Sequence, residues 1–139
     1  MKQEDKEILL KDICARLPYK VKCSFGVDDA IYEITGINPS ACGASEIQAT
    51  HVKSSINGDF KLNSCKPYLF PLSSMTDEQK EEYRKVGELD TEILSKHPMD
   101  GTPFPALYNS QDWLDAHHFD YRGLIEKGLA IDATNLNIY

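Results

Sequence analysis

The sequence predicts an α+β fold: an N-terminal helix and a small antiparallel sheet, packed with a C-terminal half that is mainly helical. Three observations predict it. Residues 19–25 alternate apolar and polar side chains, as a half-buried strand requires. Asn57-Gly58 sits between two strand-like segments, where Asn-Gly favours a tight hairpin turn. Residues 4–17 and 76–97 carry apolar side chains at helical spacing instead.

The elements follow in order. In residues 4–17, Leu10, Ile13, Cys14 and Leu17 form one stripe, acidic side chains occupy the first turn, and Pro18 stops the helix. In 19–25, Tyr19, Val21, Cys23 and Phe25 face one way and Lys20, Lys22 and Ser24 the other. Residues 30–37 are apolar on both faces, as in a central strand. Residues 38–45 are a loop by composition. Segments 47–56 and 59–65 then form the hairpin around Asn57-Gly58. The expected sheet has about four strands, with a curled sheet or small open barrel as its possible closures.

Residues 66–75 form an apolar connector held extended by Pro67 and Pro71. Tyr68, Leu69, Phe70 and Leu72 should pack across the sheet, so 1–139 is read as one domain. Its parts are 1–65, the connector, and a helical half, 76–139, with a short terminal strand. Thr76 and Gln79 match a capping box for a helix whose inner face is Tyr83, Val86, Asp90, Ile93 and Leu94. Gly87 weakens that helix and marks a kink or a close contact, and His97-Pro98 ends it. The proline-bearing loop 97–110 has the length of a functional or mobile loop. Ser110 should cap a helix from Gln111 to Phe119, with Trp113, Leu114, His117 and Tyr121 on one face and Asp112 and Asp115 opposite. A second short helix, Tyr121–Lys127, would start at Asp120 and close at Gly128, with Gly123 at a close approach to the preceding helix. A strand at 129–133 completes the chain.

Size and composition bound the function. At 139 residues, about two-thirds of the unfolded surface can be buried. A hydrophobic content of 41% with 27% charged residues is ordinary for a globular chain. No apolar run approaches the roughly 20 residues that span a bilayer. The charged N-terminus lacks the apolar region of a signal peptide, so a cytoplasmic location is expected. Cys14, Cys23, Cys42 and Cys65 contain no C-x-x-C pair, which favours reduced structural thiols over a zinc ribbon, with Cys14 and Cys23 in the core. The net charge is −7, and all of it falls in residues 71–139, which carry six basic and thirteen acidic side chains. An acidic chain is a poor candidate for binding phosphate backbones. Its acidic half is a surface for a basic partner, an imitation of nucleic acid or, the favoured reading, a solvated helix face.

The chemistry-bearing stretch is DAHHFDYRGLIEKGLAID, 115–132. Metal-binding helices pair ligands at i, i+3 or i, i+4, and His117 with Asp120 has that spacing, short of the three ligands wanted. The favoured reading is structural: His117 a hydrogen-bonded residue at the core edge, His118 at the surface, Asp120 a cap. Phosphate-loop, dinucleotide and nucleophile-elbow motifs are absent, so no catalytic, metal or cofactor residue is assigned. The candidate functional surface is His117, His118, Asp120, Arg122, Trp113 and Tyr108. Three alternatives use other residues. A metal-assisted hydrolase would join His117, His118 and Asp120 to His51 or His97. A Cys–His nucleophile would use Cys42 with His51 or His118. A nucleic-acid module would use Tyr19, Lys20 and Lys22. LIEKGLAID also has the look of the end of a winged-helix unit, though its acidic surroundings count against DNA contact.

Three motifs, ARLPYKVK (15–22), KPYLFPLSSMTDEQKEEY (66–83) and WLDAHHFDYRGLIEKGLAID (113–132), resemble a family of small proteins carried by phages and prophages of gut Bacteroides-type bacteria. The resemblance covers both ends and the connector, but not about 24–64 or 85–110. It implies a mobile-element gene and a bacterial host cytoplasm, and brings no activity, cofactor or site residue. The function expected is a non-enzymatic binding or adaptor module with a host or phage protein as partner.

Overall fold

The computed structural model describes residues 1–26, 30–38, 46–97, 101 and 110–139. Helix α1 spans Gln3–Arg16 and passes into a short 3-10 turn, Leu17–Tyr19, that contains Pro18. Its buried residues are Leu9, Asp12, Ile13 and Arg16. These keep the expected i, i+3, i+4, i+7 spacing but are rotated by one residue from the apolar stripe. Half of the buried stripe is charged, which apolar periodicity cannot register. Cys14 is exposed as a result, contrary to its expected place in the core.

Lys20 takes a left-handed conformation, φ 57°, and redirects the chain into the sheet. Strand β1, Lys22–Ser24, is shorter than expected, but Val21, Cys23 and Phe25 are buried in alternation as predicted. Tyr19 lies before the strand, in the 3-10 turn. Strand β2, Tyr32–Ile37, is central as expected, pairing antiparallel with β1 and with β3, Ile47–His51. Strand β4, Asn57–Phe60, pairs antiparallel with β3.

The hairpin is real, but its turn is not at Asn57-Gly58. Thr50 pairs with Asn57 and Ala49 with Gly58, inside the ladder. The reversal lies over 52–55, closed by Ser55 N–H to His51 O at 2.9 Å and His51 N–H to Ile56 O at 2.9 Å. Ser54 N–H also donates to His51 Nδ1 at 3.0 Å, and Ser55 supplies the positive φ. Gly58 serves the ring of Phe60 instead, because a Cβ there would lie 2.9 Å from it. That ring stacks on Phe25 at 3.9 Å and meets Tyr32 edge-on.

The expected connector is a strand. β5, Lys66–Pro71, pairs antiparallel with β1 and parallel with β6, Phe119–Asp120, and with β7, Ile131–Asp132. Among the described residues the sheet has seven strands in the order β4-β3-β2-β1-β5-β6, with β7 also on β5, and it stays open. Successive side chains of β5 face opposite ways. Leu69 joins Leu9, Ile13, Val21, Cys23, Leu124 and Leu129 in the core beneath α1. Tyr68 joins Ala133 and Ile138 in a smaller cluster.

Helix α2, Asp77–Ser95, starts with the predicted capping box: Thr76 Oγ1 accepts from Gln79 N–H, and Gln79 Oε1 from Thr76 N–H. None of its residues is fully buried. A short 3-10 turn, Leu72–Ser74, leads into it. Helix α3 runs Ser110–Ala116, so Ser110 is its first described residue and not an external cap. It stops before Phe119 because His118 turns left-handed, φ 61°, and the next residues enter β6.

The second short helix does not form. A hydrogen-bonded turn closes Leu129 N–H onto Leu124 O at 2.9 Å, so the helix-to-wing likeness fails as well. Gly123 and Gly128 both have positive φ, and neither has an atom within 4 Å of a built Cβ, so Gly123 marks a backbone bend and not a helix contact. Tyr108, Cys42 and most of the 97–110 loop lie outside the described residues. No helix among the described residues is long and apolar enough to cross a membrane.

Gly87 likewise has nothing within 4 Å of a built Cβ and an ordinary φ, so the expected close contact is not there. Gly87→Ala should therefore stabilise the protein by about 0.5–1 kcal/mol through helix propensity. Urea unfolding monitored by circular dichroism measures it, and an unchanged or lowered midpoint would contradict an open site.

Candidate functional site

The 115–132 stretch is organised by a buried charge network that includes two α1 residues the sequence reading passed over. Arg16, fully buried, donates through Nε and Nη2 to both oxygens of fully buried Asp12, at 2.8 and 3.0 Å. Arg16 Nη2 also donates to the carbonyl of Phe119 at 2.6 Å. Arg122 Nη1 reaches the same Asp12 at 2.7 Å. Asp115 lies 3.9 Å from Arg16 and 4.0 Å from Arg122, and accepts from the Tyr121 hydroxyl at 2.7 Å. The Tyr121 ring lies under the Arg122 guanidinium at 4.5 Å. Two carboxylates thus face two guanidinium groups. Burial raises the Asp115 carboxyl above its ordinary value, while Tyr121 and the two arginines pull it down. Asp115 was expected opposite the apolar face of its helix; it is buried because that side meets α1.

The two histidines diverge. His117 Nδ1 lies 2.8 Å from Trp113 O. A carbonyl only accepts, so Nδ1 carries the proton in that bond. The ring stacks on Trp113 at 4.0 Å, which makes His117 the hydrogen-bonded residue expected. It lines a cleft of about 250 Å³ with Phe70, Ser74, Gln79, Phe119, Thr134 and Asn135. His118 was expected at the surface and is buried, 8% exposed. Its left-handed backbone turns it onto the Tyr139 ring, 3.8 Å away. Burial, with the Arg16 charge adding, pushes its imidazole down to about 4.

Asp120 is a cap, as expected, but of a turn. Its two oxygens accept from Leu124 N–H and Ile125 N–H, each at 2.9 Å. Each oxygen thus accepts from one backbone donor of the turn. Among the described residues, no three His, Cys, Asp or Glu side chains stand together as a metal site. His51 is in β3, with three strands between it and β6, and its Nδ1 is engaged by Ser54. His97 lies just beyond the C-terminal end of α2.

The proposed stacking face is not assembled either. Lys22 Nζ donates to Ile138 O at 2.8 Å and lies over the Tyr139 ring, while Tyr19 lies in the preceding turn. Lys22 N–H donates to the Tyr139 hydroxyl, which donates to Tyr68 O, so Lys22 helps to hold the 138–139 segment against the sheet.

A different surface stands out on α2. Leu89 and Leu94 are 42% and 46% exposed and flank the half-buried stripe of Tyr83, Val86, Asp90 and Ile93. Tyr83 meets Trp113 at 5.6 Å, linking α2 to α3. Around the leucines, Arg84 pairs with Glu81 and Glu88, and Lys96 with Glu92. Compared with known proteins, the chain matches no family model, no curated protein and no solved structure.

Removing one member of a buried ion pair leaves its partner charged and poorly solvated. Arg16→Met should cost about 3–5 kcal/mol, and Asp12→Leu with Arg16→Met should cost less than the sum of the single changes. Denaturant unfolding of the four proteins in this cycle measures the coupling, and additive losses would rule out a cooperative network.

His118 sets a pH dependence. Its folded value, about 4, lies below its ordinary value of 6.5, so the unfolded chain binds the proton more readily between them. Stability is retained above about pH 6.5 and falls as pH drops toward 4, by about 1.4 kcal/mol per unit at the steepest. His118→Phe keeps a ring against Tyr139 but no proton site. The stability difference between wild type and variant should therefore change over pH 4–6.5 and stay flat above it.

Proposed function

We propose that this chain is a non-enzymatic protein-binding module whose docking element is α2 and whose partner presents a basic surface with an apolar groove. One observation carries the reading: a 19-residue helix, well capped, buries no residue fully and carries two half-exposed leucines. A helix set in a groove is a recurring recognition mode. The charge supports a basic partner, because the excess of acidic side chains falls entirely in residues 71–139. The histidine region supports the same reading, since its charged groups are occupied in holding α1, α3 and β6 together. The phage and prophage resemblance supplies the setting, a host or phage protein in a bacterial cytoplasm.

The test is capture from host lysate with wild-type protein and with a Leu89→Glu/Leu94→Glu variant. Both side chains are half-exposed, so the variant should fold with only a modest loss of stability. Wild type should retain a saturable partner that the variant loses, with affinity falling as salt is raised. A partner retained equally by the variant, or none that saturates, would sink the proposal.

A further inference from the structure

The edge of the sheet at β4 takes no part in the proposed function. Among the described residues, β4 stands at one end of the strand order and pairs with β3 alone. The bond from His51 N–H to Ile56 O sets the alternation of this ladder. Residues 56, 58 and 60 therefore turn their backbone groups toward β3, and Asn57 and Asp59 turn theirs to the outer edge. Proline and lysine, which commonly blunt such an edge, are absent from Asn57–Phe60.

The side chains along the edge divide by face. On the core side, Phe60 packs against Phe25 and Tyr32, while Ile56 is 67% exposed. Gly58 lies between them, beside a cleft of about 210 Å³ that Tyr32 and Phe60 also line. On the other side, Asn57 and Asp59 are exposed. Asn57 Oδ1 accepts from the Thr50 hydroxyl at 2.6 Å, which leaves its amide N–H groups to donate elsewhere.

We propose that β4 pairs antiparallel with β4 of a second copy of this chain, with Gly58 opposite Gly58 at a two-fold axis. In this register Asn57 exchanges backbone bonds with the partner's Asp59, and its amide faces that carboxylate. Ile56 meets the partner's Phe60, which covers the exposed isoleucine and fills the cleft beside Gly58. Symmetry makes each contact twice. The neighbouring registers are worse. A shift of two residues one way sets Asp59 against Asp59, and like charges directly opposite are destabilising. The same shift the other way sets Asn57 against itself and runs Phe60 into the 52–55 reversal. A slip of one residue sets outward backbone groups against inward ones. The edge is thus complementary to itself in one register, and one sheet would run through both copies.

Sedimentation velocity of the full chain, from micromolar to millimolar concentration, reads the association. The pairing strand is only four residues long, so a weak dimer that forms reversibly with concentration is expected. Asp59→Pro removes an N–H that points away from β3 and sets a ring in the path of the second strand. It should stay monomeric with an unchanged circular dichroism spectrum. Asn57→Asp places two like-charge pairs across the interface and should weaken association by about 3–30-fold. Combining Asn57→Asp with Asp59→Asn restores the net charge and the amide–carboxylate pairing, and should recover wild-type association. These exchanges test the register even where Asp59→Pro does not fold. Leu89→Glu/Leu94→Glu should dimerise like wild type, which separates this edge from α2. A chain that stays monomeric at every concentration would overturn the proposal. So would a dimer that Asn57→Asp leaves unweakened, that the exchanged variant does not restore, or that the α2 variant abolishes.

Discussion

The fully buried Arg16–Asp12 pair governs how the two halves of the chain meet. Taking two charges from water costs several kcal/mol per ion unless geometry and further hydrogen bonds offset it. Here the guanidinium meets the carboxylate through two bonds and also reaches the Phe119 carbonyl, more than 100 residues away in sequence. Arg122 completes the balance from the turn after β6. α1 is therefore tied to the C-terminal segment as well as to the sheet.

That docking explains the behaviour of the histidine stretch. Once Phe119 is tied to Arg16, it pairs with Phe70, and β6 begins there. α3 must end a turn earlier than its sequence allows, and His118 takes the left-handed conformation at the junction. Asp120 then turns its carboxylate onto two backbone donors that the sharp reversal would otherwise leave unsatisfied. The residues that look most like chemistry in the sequence are those with most to do in joining elements. Among the described residues α2 joins mainly through its contact with α3, and its leucines remain half solvated.

Much of the fold was legible. The alternation in 19–25 fixes which side chains of β1 are buried, because period two has only two faces. The capping box at Thr76 is local chemistry, formed between residues three apart, and appears as predicted. The central position of β2 follows from its two apolar faces. Other features were not legible, for reasons particular to each. Asn57-Gly58 suits a tight turn, but the Phe60 ring stacked on Phe25 needs Gly58 inside the ladder, and His51 with Ser54 builds the reversal instead. KPYLFP contains two prolines and reads as a connector, but its place between β1 and the two parallel strands makes it a strand.

The sequence by itself determined the α+β class, the start of α2, the alternation of β1 and the concentration of negative charge in the second half. These depend on neighbours a few residues apart or on composition. Only the tertiary structure decided that Asp12 and Arg16 belong in the interior, that His118 is buried, that Asp120 is spent on backbone donors and that Cys23 and Cys65 share one core. Apart from Asp120, whose donors are four and five residues on, each of these depends on a partner tens of residues away, or more than a hundred. Whether a charged or reactive side chain is held or free is settled by that partner, which local pattern does not contain.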